Sequence, residues 1–198
     1  LARLSLQEVV ARVEPWVAQG RAQEAIALYR SWLSQVPNDP LRCVALFNLG
    51  VLLDASGDPA EAQKVYQEAL HLHHQLHQAR LNLGHQFERQ GRINEALAQW
   101  QEALTLMEVQ SDTDRSLVLH ALNNSARVLE DARRFDEAEA FMLRSLRIEP
   151  DQPAVLHHYV HIRQKQCKWP VYEAVDGISI NRQLLATSTL GMLAAHDD

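Results

Sequence analysis

Cysteine is scarce: Cys43 and Cys167 are the two cysteines in 198 residues, and they stand far apart with no partner spacing. That argues against a disulfide framework and against a zinc site built on thiolates. No apolar run approaches the roughly 18 residues a membrane-crossing helix requires, and no signal peptide opens the chain. A basic excess is missing too, since 19 Lys and Arg against 25 Asp and Glu give a formal net charge of −6. Without a basic stripe interleaved with aromatics, nucleic acid is not an expected partner. Catalytic signatures are absent as well: there is no Gly-rich phosphate loop, no nucleophile elbow, and no carboxylate pair outside a repeated context. The expectation is a soluble, cytoplasmic chain with no membrane or nucleic-acid partner, no catalytic residue, no cofactor and no metal. Leu1 in place of a methionine, and an apolar stretch just before Asp198, point to a piece of a longer protein.

What is present is a helical hairpin running from Ala79 to Leu104. Leu83 and Phe87 share one face of a first helix, Gly91 breaks the pattern, and Ile93, Ala96, Leu97, Trp100, Ala103 and Leu104 make the stripe of a second. Gly84 and Ala96 are small enough to let two backbones approach, with Phe87 and Trp100 filling the space on either side. These residues, at these spacings in a unit of about 34 residues, resemble a tetratricopeptide repeat. The resemblance implies an all-α, right-handed superhelix, an α-solenoid that grows by stacking hairpins.

The rest of the chain reads as copies of this unit. Residues 6–39 form a first repeat, with Ser5 and Glu8 as a capping box and Gly20 as the turn. Val13 stands there where a small residue is expected and Trp32 where alanine is expected, as suits a terminal unit whose outer face packs differently. Residues 43–76 repeat the pattern with Leu49-Gly50, Leu53, Gly57, Ala62, Tyr66 and Ala69, and Asp58-Pro59 starts the second helix. Residues 77–110 are the hairpin already described. A polar insertion, Val109 to Ser116, shifts the phase and lengthens a helix or a loop before the period resumes at 119–152. Residues 153–165 continue a first-helix stripe as a partial repeat, and 166–198 form a C-terminal cap or a junction to a missing domain. There Ser179 or Asn181 caps a short helix, Arg182 to Ala186. Leu184, Leu185, Leu190, Met192 and Leu193 either cap the solenoid's end or face another domain. The architecture expected is about four and a half helical hairpins with a C-terminal capping helix.

Function is carried by one repeated position. The sixth residue of successive units is Asn48, Asn82 and Asn124, which a concave wall of first helices would align as a ladder. An amide both donates and accepts, so such a ladder can pair with the backbone of an extended peptide without reading its side chains. The same ladder can instead be structural, each amide bonding a neighbouring helix. His85, Glu88, Arg127 and Glu130 fall along the same face and give it mixed charge, and His157, His158 and His161 extend it. His157 and His161 also have the spacing of two metal ligands, and His71, His73, His74 and His77 crowd a helix end. No carboxylate or cysteine completes either set, so solvated or groove-lining histidines are expected rather than a metal site. The basic pairing by which tetratricopeptide clamps hold a C-terminal carboxylate is not evident. Glu61, Glu95 and Glu137 recur at one position and are explained by exposure.

A second resemblance begins at Arg163, Cys167 and Trp169 and continues in the segment from Leu190 to Asp198. It looks like the junction in bacterial SPINDLY-type O-GlcNAc transferase homologues, where tetratricopeptide repeats lead into glycosyltransferase lobes and where asparagine ladders also occur. Lys168 stands where an acidic residue is usual, and Thr189 where proline is usual. The resemblance implies that donor-binding and catalytic lobes lie beyond Asp198 and that this chain is the acceptor-selecting arm of a UDP-sugar enzyme, inactive alone. A free-standing scaffold or co-chaperone-like adaptor is the alternative. In both cases the expected partner is a protein or extended peptide in the concave groove, with a second copy of the chain as a further candidate.

Overall fold

The structure, a computed structural model, describes residues 4–175 and 177–187. Among these there are ten α-helices and, outside them, one isolated antiparallel bridge between Val175 and Ile178. The fold is all-α. Two compact units divide the chain, one ending at Leu106 and the other beginning at Met107.

The first unit holds α1 (Leu6–Ala18), α2 (Ala22–Gln35), α3 (Arg42–Ala55), α4 (Pro59–Leu72), α5 (His77–Arg89) and α6 (Ile93–Leu106). Each helix packs on the next to form three stacked hairpins. Local chemistry sets the helix starts. Ser5 Oγ accepts from the Glu8 amide at 3.3 Å while Glu8 Oε2 accepts from the Ser5 amide at 2.7 Å, a complete capping box. Asp58 accepts from the Glu61 amide at 3.1 Å, and Pro59 opens α4 where no amide donor is needed. Gly57 and Gly91 close their hairpins at φ of +85° and +72°, backbone that an L side chain adopts only with strain.

Inside the hairpins the close approach is between a ring and a backbone. A Cβ on Gly50 would lie 2.5 Å from the Tyr66 ring, and one on Gly84 would lie 2.1 Å from Nε1 of Trp100. The expectation that Gly84 makes room for a second backbone is therefore corrected: the room is filled by the indole of α6, whose Nε1 donates to the Leu81 carbonyl at 3.2 Å. Ala62 and Ala96, fully buried, keep the second helices close enough for this. At the end of the stack Trp32 is buried and donates to the Leu4 carbonyl at 2.8 Å, which explains a large ring where other repeats have alanine.

The second unit holds α7 (Asp112–Asp131), α8 (Phe135–Ile148), α9 (Pro153–Lys165) and α10 (Ile180–Ala186). Much of the polar insertion becomes helix: Ser111 accepts from the Asp114 amide at 3.1 Å, so α7 starts well before residue 119 and runs for 20 residues. The α7–α8 turn places Arg133 at φ +59°, where the hairpins above use glycine, a strain of about 1–2 kcal/mol. Ser179 caps α10 by accepting from the Arg182 amide at 3.3 Å, and Asn181 lies inside that helix.

Arg163 anchors the segment between α9 and α10. Its side chain is 9% exposed and bonds Glu139 at 2.9 Å, the Pro170 carbonyl at 2.8 Å, the Val171 carbonyl at 3.1 Å and Glu173 at 2.9 Å. Lys168 reaches Asp136 and Glu139 from the other side. Leu184 is half-buried and Leu185 is 87% exposed, while Leu190, Met192 and Leu193 lie outside the described residues.

Candidate functional site

In the first unit the first helices of successive hairpins stand side by side, and the second helices supply a floor between them. Over Tyr29 an open groove of about 520 Å³ is walled by Val10, Val13, Glu14 and Val17 of α1 and by Phe47, Asn48, Val51 and Leu52 of α3. Over Tyr66 a groove of about 580 Å³ is walled by Val51, Asp54 and Ala55 of α3 and by Asn82, His85, Glu88 and Arg89 of α5. Val51 belongs to both.

The asparagines do more than line these grooves. Asn48 Nδ2 donates to the Tyr29 hydroxyl at 3.2 Å, and Asn82 Nδ2 donates to the Tyr66 hydroxyl at 3.2 Å. Each amide thus ties a first helix to the second helix of the preceding hairpin. Burial pushes both phenols upward, Tyr66 to about 12, so each stays protonated at any physiological pH. Arg89 pairs with Asp54 at 2.6 Å across the mouth of the groove over Tyr66, and the other Asp54 oxygen is buried without a hydrogen-bond partner. His85 sits edge-on to Trp100 at 5.3 Å and 3.4 Å from Glu88.

The second unit has a smaller recess, about 130 Å³, above Met142 and between α7 and α9. Asn123, Arg127, Glu130 and His158 line it, and Glu130 meets His158 at 2.9 Å. Asn124 does not line it; its Nδ2 donates back to the His120 carbonyl at 2.8 Å, one turn earlier on α7. His157 Nδ1 lies 3.1 Å from the Ala186 carbonyl, so α10 lies against it. The His157 and His161 ring centroids lie 6.3 Å apart with their planes 6° from parallel. Burial, with Lys165 adding to it, holds the His161 imidazole below its ordinary range.

The recurring Glu95 and Glu137 pair with Arg92 and Arg134 three residues earlier, and Glu61 with Arg30 at 2.6 Å. Among the described residues no group of three or more His, Cys, Asp or Glu is placed to hold a metal ion. No described helix is long and apolar enough to cross a membrane.

Several groove residues escaped the sequence reading. His85 and Glu88 occupy the ninth and twelfth positions of their unit, and the same positions in the units above hold Glu14, Val17, Val51 and Asp54. Carrying those two positions through every unit would have found the wall. The tyrosine floor carried no such signal, because an aromatic at that place already serves the core.

A tetratricopeptide-repeat family profile matches residues 17–72 and 75–150. The chain belongs to the tetratricopeptide repeat family. Solved tetratricopeptide-type structures resemble it throughout. MamA is 17% identical, with a TM-score of 0.69, over 88% of this chain and 93% of that one. MamA from Desulfovibrio magneticus, taken from residue 41 to its end, is 14% identical with a TM-score of 0.67, over 100% of both chains. The pilF protein of Pseudomonas aeruginosa is 18% identical with a TM-score of 0.63, over 95% of this chain and 80% of that one. At these identities the likeness establishes the tetratricopeptide fold alone. No curated protein matches the sequence.

Proposed function

We propose that this chain is a non-catalytic binding module that holds an extended segment of a partner protein along the first helices of its first unit. The observation that carries the reading is the pair of adjoining grooves over Tyr29 and Tyr66, joined at Val51. Val51 is 40% exposed at their junction and continues the apolar wall that Val10, Val13 and Val17 begin on α1. Asn48 and Asn82 spend an amide proton on a tyrosine, which leaves their carbonyl oxygens to accept from a ligand backbone. Concave repeat surfaces are the usual binding faces of such proteins.

Selection of 12-residue peptides displayed on phage tests this reading. Enriched peptides should bind the wild-type chain and lose at least tenfold in affinity against Val51→Glu, a surface change that leaves the helical circular dichroism intact. Failure to enrich any peptide, or equal binding by both proteins, defeats it.

A narrower reading makes the module the acceptor-recruiting arm of a UDP-GlcNAc-dependent glycosyltransferase. It is supported by the resemblance at Arg163, Cys167 and Trp169, where Arg163 also has a packing task of its own. A free-standing scaffold suits the same grooves. Calorimetry with UDP separates the two: the full gene product binds it under the narrower reading, and residues 1–198 alone do not.

A further inference from the structure

Exposed apolar side chains are concentrated at the α1 end of the first unit. Among its described residues four large apolar side chains are exposed, Val17, Leu41, Val51 and Leu72, and three of these line two adjoining grooves. The groove over Tyr29 holds Val17 and Val51, and a second of about 290 Å³ beside α1 holds Leu41. Val10 and Glu14 belong to both. The shared wall is the face of α1 that carries Leu6, Val10, Val13 and Val17, at the spacing of a helical stripe that packs against a neighbour. Leu6 and Val13 are buried in the core, whereas Val10 is half-buried and Val17 is 44% exposed, so the stripe is only partly covered.

Among the residues lining these two grooves Glu14 alone is charged. The groove over Tyr66 differs. Asp54, His85, Glu88 and Arg89 line it, with Arg89 bonded to Asp54 at 2.6 Å and Glu88 3.4 Å from His85, so its charged groups already face one another. A wall of that kind gains little from a ligand's apolar side chain. Valines and a leucine left in water gain by being covered, roughly in proportion to the area removed from water, so selectivity rests at the α1 end. The recess of the second unit offers no comparable surface: it is smaller, and its Glu130 is paired with His158.

A second copy of the chain, held here as a stable dimer, would bury about 800 Å² on each partner, far more than three part-exposed side chains supply. Two bulky side chains of a bound segment suit adjoining grooves of about 520 and 290 Å³. Resting on the peptide-binding reading above, we infer that the chain selects extended segments carrying two bulky apolar side chains within a few residues of each other. One seats against Val17 and Val51, the other against Leu41. The rest of the segment runs past Val51 over the groove above Tyr66, where polar residues suffice. A segment without the apolar pair leaves the α1 wall wet.

Arrays of immobilised 12-residue peptides test this. Two positions within four of each other are fixed as two leucines, one leucine and one glutamine, or two glutamines, and the remaining positions are randomised among polar residues. The two-leucine set should retain at least threefold more wild-type chain than the one-leucine set, and at least tenfold more than the set with none. Leu41→Gln, a change at an exposed side chain, should bring the two-leucine set down to the level of the one-leucine set. Equal retention of all three sets, lost in Val51→Glu, overturns this inference and leaves the peptide-binding reading standing. Retention of none defeats both. A two-leucine preference that survives Leu41→Gln overturns the inference, because the groove beside α1 then takes no side chain. So does a wild-type dimer in sedimentation that Leu41→Gln converts to monomer, because a second copy then covers the grooves.

Discussion

The Cβ that any other residue would place at Gly84 lies 2.1 Å from Nε1 of Trp100, inside the van der Waals envelope of a ring that is fully buried. The indole is rigid and its nitrogen is held by the Leu81 carbonyl, so it cannot swing aside. Gly84→Ala is expected to destabilise the first unit by about 1–3 kcal/mol through overpacking. Adding Trp100→Phe, a smaller ring, should recover part of that loss. Urea midpoints for the two variants check it; an unchanged midpoint for Gly84→Ala would contradict the packing described.

The bond from Asn82 to Tyr66 predicts a stability effect with no ligand present. Asn82→Ala and Tyr66→Phe should each lower stability, and a double-mutant cycle should return a coupling of about 0.5–1.5 kcal/mol. A coupling near zero would assign the asparagine to ligand binding alone.

Removing one partner of the Arg163–Glu139 pair is a different matter, because both side chains are under 10% exposed. Arg163→Met leaves Lys168 alone to balance the Glu139 carboxylate and leaves the Pro170 and Val171 carbonyls without their donor, an expected cost of about 1–3 kcal/mol. Glu139→Leu in the same chain should restore part of it. Proteolysis of the 166–175 segment, read beside thermal melting, is the measurement: cleavage should rise in the single variant and fall back in the double.

His161 makes stability depend on pH. Its folded-state affinity for a proton is depressed by burial first and by Lys165 next, with His157 and His158 opposing protonation and Glu130 favouring it. The unfolded chain therefore binds the proton more readily, at the ordinary imidazole value of about 6.5, and stability falls as the pH drops below that value while staying level above it. His161→Gln should flatten this loss. Urea midpoints at pH 7.5, 6.5 and 5.5 for wild type and variant decide it, and parallel profiles would rule the contribution out.

Much of the architecture is local and was therefore legible. The capping box of Ser5 and Glu8, the Asp58-Pro59 start of α4 and the turn glycines each act within a few residues, and the helical period recurs often enough to be read unit by unit. The polar insertion was legible only as an interruption, because whether it becomes helix or loop depends on where a cap falls, and Ser111 supplies one.

The sequence by itself determined the helices, their pairing into hairpins and the family. Those follow from the spacing of small, apolar and turn residues along one strand of chain. Only the tertiary structure decided what each repeated side chain does. The amides of Asn48 and Asn82 could bond a ligand or a helix equally well until Tyr29 and Tyr66 were brought to 3.2 Å. Val51 reads as one more apolar helix residue until α1 and α5 stand on either side of it and leave it at the junction of two grooves. A hydrogen-bond partner or a solvent-facing wall is a relation between residues far apart in the chain, and periodicity along the chain carries no record of it.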